Sequence, residues 1–62
     1  MKYILGFTNI PIVKHKYKVM LINEVDLSNA AEFFMFDKEE RDRLMEELKT
    51  KFEITKTMEF IY

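Results

Sequence analysis

Lys38 to about Lys51 is the one stretch of this chain written almost entirely in strong helix formers, with no glycine or proline inside it. Asp37 stands before it as an N-cap residue, and Glu40, three residues on, occupies the acceptor position of a capping box. Asp37–Arg41, Glu39–Arg43 and Glu47–Lys51 fall at i,i+4 with the acid first, an orientation worth about 0.3 kcal/mol per pair. Acidic residues gather in the first turn and lysine in the last, complementing the helix dipole. The apolar stripe is narrow: Leu44, Met45, Leu48 and then Phe52. One side of this helix docks and the rest is solvated.

The remaining apolar residues fall in strand-like runs. Tyr3 to Phe7 reads as a first strand, Thr8-Asn9-Ile10-Pro11 as a connection, and His15 to Asn23 as a second strand. Asp26-Leu27-Ser28-Asn29 supplies the next turn, and Ala31 to Phe36 a third strand. A helix capped by Asp26 or Ser28 and running on through Phe36 is disfavoured, because Phe33-Phe34-Met35-Phe36 would leave it apolar all round. Glu53 to Tyr62 returns to a two-residue period, with Phe52, Ile54, Met58, Phe60 and Tyr62 on one side.

The order is therefore β-β-β-α-β. It predicts an α+β fold: a four-stranded, mostly antiparallel sheet with one helix packed on one face, a single compact domain over residues 1–62. A right-handed crossover through the helix places strand four parallel beside strand one, which is favoured over an antiparallel return beside strand three.

That architecture leaves a problem of cover. Adjacent strand residues point to opposite faces, so Ile4, Met20, Ile22, Phe34 and Phe36 stand opposite the face that the helix covers. Leaving ~400 Å² of apolar surface in water forgoes roughly 10 kcal/mol at ~25 cal/mol per Å². A chain of 62 residues buries only about 60% of its unfolded area and cannot spare that much. Three covers are available: the segment Ile10–Val13 folding back, a second copy packed sheet to sheet, or a different protein. A homodimer is the expectation favoured among them.

Composition narrows the function classes. At 48% hydrophobic and 15% aromatic, with one glycine and one proline, the chain is no disordered tail. Without cysteine it has no disulfide, thiolate metal site or thiol nucleophile. Ten basic against eleven acidic residues give a net charge of −1, neither a strongly basic nucleic-acid binder nor an acidic DNA mimic. No apolar run approaches a membrane span and the first residues do not form a signal peptide, so a cytoplasmic location is expected, that of a host if the chain is virus-encoded.

His15 is the sole histidine and Ser28 the sole serine, with no nucleophile-elbow pattern around the latter, and one glycine cannot build a phosphate loop. The helix carboxylates read as a solvated, salt-bridged face. No enzyme, cofactor or metal is expected. Lys14, Lys16 and Lys18, interleaved with His15 and Tyr17, offer an alternative: a nucleic-acid-binding or transcription-modulating face, although lysines on an edge strand also guard against aggregation. The acidic helix face of Glu39, Asp42 and Glu46 is a further surface for a basic partner.

The leading expectation is a small non-enzymatic protein-binding module that inhibits or modulates another protein by surface occlusion, with Ile4, Met20, Ile22, Phe34 and Phe36 as its contact face. Size and simplicity match products by which phages and mobile elements obstruct host defence factors, an argument from analogy.

Overall fold

A computed structural model describes residues 1–12 and 14–60. It contains β1 (Lys2–Phe7), β2 (Tyr17–Asn23), β3 (Ala30–Met35), α1 (Lys38–Lys51) and β4 (Glu53–Glu59). The strands form one sheet in the order β3-β2-β1-β4. β1 pairs antiparallel with β2, and β2 with β3, while β4 lies parallel beside β1, as the crossover argument requires. The α+β class, the element order and the placement of the last strand agree with the sequence reading. No described helix is long and apolar enough to cross a membrane.

Register explains the core. Leu5 faces Leu21, Phe7 faces Val19, Val19 faces Phe33 and Tyr17 faces Met35, so the odd-numbered residues of β1, β2 and β3 share one side of the sheet. Leu5, Val19, Leu21 and Met35 are buried there beneath Met45 and Leu48 of α1. Tyr3, Phe7, Tyr17, Phe33, Leu44 and Ile54 pack around them. The narrow helical stripe suffices because the sheet supplies most of the apolar surface.

Several local expectations need correction. β2 begins at Tyr17 rather than His15, because Lys14 and His15 take left-handed backbone conformations (φ 51° and 63°) in the turn before it. β3 runs from Ala30, which pairs with Ile22, and stops at Met35 so that Phe36 and Asp37 can launch the helix. Asp37 has the extended backbone of an N-cap residue, but its side chain makes no capping bond, so no capping box forms with Glu40. Of the three anticipated ion pairs only Glu47–Lys51 is present among the described residues, at 2.8 Å. Lys51 holds the Glu47 carboxyl below its ordinary value, first by that hydrogen bond and then by its charge. Val13, Ile61 and Tyr62, which the sequence reading placed in the fold-back segment and in strand four, lie outside the described residues.

The two-residue period of strand four is also broken. Tyr3 pairs with Ile54, but Ile4 pairs with Lys56, leaving Thr55 as the extra residue of a bulge. Ile54 therefore sits with the core under the helix, whereas Met58, opposite Gly6, belongs to the other face.

Arg41 holds helix and sheet together at one end. Its residue surface is only 4% exposed, a burial rare for a charged side chain. Nη1 donates to the Thr8 carbonyl at 2.6 Å and to Asn9 Oδ1 at 2.9 Å; Nε and Nη2 donate to Asp42 Oδ1 at 3.1 and 2.7 Å. The guanidinium carbon lies 5.3 Å from the Phe7 ring centre and 5.6 Å from that of Tyr17. The fork thus satisfies the chain as it leaves β1, and Arg41 is unavailable for the Asp37 pair read from sequence. Thr8 beside it is fully buried, exchanging Lys18 N–H to Thr8 Oγ1 (2.9 Å) and Thr8 N–H to the Lys18 carbonyl (3.0 Å).

Candidate binding face

The face opposite α1 is built by the even-numbered residues of the first three strands. Ile4 faces Ile22 across β1 and β2, and Gly6 faces Met20. Met20 faces Glu32, and Lys18 faces Phe34, across β2 and β3. Pleating alone sends these side chains away from the helix, so the sequence places them without any special motif. All five candidate contact residues come together on this side: Ile4, Met20, Ile22 and Phe34 from the ladder, and Phe36 by continuing the alternation one step beyond β3.

Their exposure is uneven, which corrects the picture of five side chains in water. Ile4, Met20 and Ile22 are half-buried, whereas Phe34 and Phe36 are 42% and 67% exposed. Two features account for the partial cover. The Phe60 ring lies directly over Gly6: a Cβ built at Gly6 would stand 1.9 Å from Phe60 Cε2, so only glycine admits the ring. Phe60 N–H donates to the Phe7 carbonyl, which anchors it beside β1. Lys18 lies along the surface, its side chain 12% exposed, with Nζ 3.5 Å from Glu32 and 5.9 Å from the Phe34 ring centre. Lys16 repeats the arrangement over Phe36 at 4.9 Å.

Of the segment after β1, Ile10 is exposed and Asn9 turns toward Arg41, so neither covers the face. Met58, 38% exposed, extends the apolar surface across β4. On the two-residue period alone, it and Phe60 fall on the strand side carrying Ile54. The bulge at Thr55 reverses that, and only a register argument would have found it. Val25 and Leu27, strongly exposed at the tip between β2 and β3, are two further apolar residues that the sequence reading passed over. Asp26 Oδ1 shapes that tip by accepting from the Ser28 N–H and hydroxyl.

The alternative nucleic-acid residues are not gathered into one platform. Lys14 lies in the left-handed turn, exposed and ahead of the strand. Tyr17 and Phe7 are on the helix side beside Arg41, Tyr3 is on the same side against Phe52, and Lys18 is matched by Glu32. On the acidic helix face Glu39, Asp42 and Glu46 are exposed, but Asp42 holds Arg41 and Glu46 pairs with Lys49 at 3.7 Å. Among the described residues no group of three His, Asp or Glu side chains is placed to hold a metal ion.

No known family model matches the sequence, and neither the curated proteins nor the solved structures searched gave a significant match.

Proposed function

We propose that this chain is a small non-enzymatic binding protein that modulates another protein by occluding part of its surface, with the sheet face opposite α1 as the contact. One observation carries the reading: a single fourteen-residue helix covers one side of the sheet, while Phe34, Phe36 and Met58 stand exposed on the other around half-buried Ile4, Met20 and Ile22. An apolar surface of this kind, rimmed by Lys16, Lys18, Glu32 and Lys56, has the composition of an interface core with a charged edge. An antagonist of a host defence factor is the form of this activity that the chain's size favours.

The test is recovery of a partner from cells of the source organism with the tagged chain as bait, comparing wild type with Met58→Glu. Met58 is remote from the β3 edge and partly exposed, so the change leaves the fold intact and puts a charge on the contact face. Loss of at least about tenfold in partner affinity is expected, the size of a 1.4 kcal/mol contact. Failure of the wild-type chain to recover any partner, or equal recovery by Met58→Glu, would overturn the proposal.

A further inference from the structure

Among the described residues the sheet has two unpaired edges, β3 and β4, and they are built differently. β4 is bulged at Thr55 and carries Glu53, Lys56 and Glu59, features that discourage strand pairing. β3 has no proline, no basic residue and no bulge; its one charge, Glu32, is turned onto Lys18. Its outward polar groups can be identified. Asn23 N–H donates to the Asn29 carbonyl, whereas on the other side of β2 Lys18 exchanges with Thr8 and Glu24 N–H donates to Lys2. Odd residues of β2 thus bond toward β3 and even ones toward β1. By the antiparallel alternation, Ala31, Phe33 and Met35 spend their backbone groups on β2, while those of Ala30, Glu32 and Phe34 point outward from the sheet.

We propose that β3 pairs with β3 of a second copy, antiparallel and centred on Phe33, joining two sheets edge to edge into one of eight strands. The occupant is a second copy because the strand is complementary to itself. Reading Ala30-Ala31-Glu32-Phe33-Phe34-Met35-Phe36, small residues lie at one end and large ones at the other. Centred on Phe33, Phe36 of one copy lies across from Ala30 of the other, Met35 across from Ala31, and Glu32 across from Phe34. Phe33 meets its own counterpart in a non-hydrogen-bonded pair, where cross-strand side chains approach closest. Centring on Glu32 would set two carboxylates opposite one another, and centring on Phe34 would lose the large-to-small match. A two-fold axis normal to the sheet keeps both helices on the same side. The exposed aromatic face then doubles in width and stays open to another protein. The inference does not depend on that protein's existence.

Sedimentation across a dilution series reads the mass, and oxidative cross-linking reads the register. Wild type is expected as a two-chain species that dissociates on dilution. Glu32→Pro removes an outward N–H, at a position an edge strand tolerates, and a half-exposed ion pair with Lys18 of little worth to the fold, so circular dichroism is expected to show a retained fold and sedimentation half the mass. The chain has no cysteine, so Phe33→Cys is expected to cross-link two copies while Ala31→Cys is not. If Phe33→Cys fails to fold, mixed Glu32→Cys and Phe34→Cys chains, altered at exposed positions, supply the same readout through their cross-link. A wild-type chain that stays monomeric at every concentration overturns the proposal. So does a Glu32→Pro variant that remains dimeric, or cross-linking at Ala31 in place of Phe33. A Met58→Glu chain that loses its target but still dimerises separates this inference from the binding function.

Discussion

Replacing Arg41 with methionine tests what holds the open end of the sheet to the helix. Methionine keeps the apolar stem but removes the fork that bonds the Thr8 carbonyl at 2.6 Å and Asn9 Oδ1 at 2.9 Å. The effects oppose one another. Losing a buried charge relieves its desolvation, and a buried ion pair can be exchanged for apolar groups at little cost. Here, however, the ionic partner is not buried: the Asp42 side chain is 61% exposed and rehydrates when released. What remains is the carbonyl of fully buried Thr8 without its donor, a loss of about 1–3 kcal/mol. The cation's contacts with Phe7 and Tyr17 are worth about 0.5–2 kcal/mol more. Allowing for the recovered desolvation, a net loss of about 2 kcal/mol is expected. In a domain this small that lowers the melting temperature by roughly 10 °C. Thermal and urea unfolding followed by circular dichroism measures it. A variant as stable as wild type, or more so, would refute the reasoning, because desolvation would then outweigh the guanidinium's bonds.

Gly6→Ala is expected to expel the Phe60 ring, costing about 1–2 kcal/mol for a half-buried phenylalanine; an unchanged Phe60 environment by NMR would contradict the close approach. Thr8→Val removes the acceptor of the Lys18 N–H and is expected to lower stability by about 1–3 kcal/mol in urea unfolding, although the shape is conserved. The Glu47–Lys51 pair sets a small pH dependence. The folded-state value of Glu47 lies below the ordinary 4.5, so its contribution is present above that value and is lost as pH falls through the folded one. Both side chains are exposed, so the difference between wild type and Glu47→Gln should be slight at neutral pH, vanish in acid and be screened by molar salt. A difference that grows in acid would contradict the assignment.

Periodicity carried most of the fold into view. The helix from Lys38 to Lys51 was legible from propensity, and the strands from alternation. The parallel place of β4 followed from crossover handedness. The five residues of the open face were legible too, since a pleat needs only the parity of each position. What escaped depends on contacts distant in sequence. The pairing of Arg41 with Thr8 and Asn9 spans more than thirty residues, and nothing local distinguishes that arginine from Arg43, which stays exposed. The capping box failed because Asp37 enters the helix from a strand end with its side chain free of the backbone. The bulge at Thr55 inverted the reading of Met58 and Phe60, since a single extra residue exchanges the two faces. A glycine inside a strand ordinarily weakens it, and the purpose of Gly6 is evident only with the Phe60 ring above it.

The methionines place probes on both sides of the sheet: Met35 and Met45 lie beneath the helix, Met20 and Met58 on the opposite face. Methyl NMR of the free protein with a soluble paramagnetic agent therefore tests directly whether one side stands open. The account predicts strong broadening of the Met58 methyl, intermediate broadening of Met20 and little at Met35 or Met45, with Met20 and Met58 becoming protected once a partner is bound. Met20 and Met58 as sheltered as Met35 and Met45 in the free protein would contradict it, because the face assigned to binding would already be sealed.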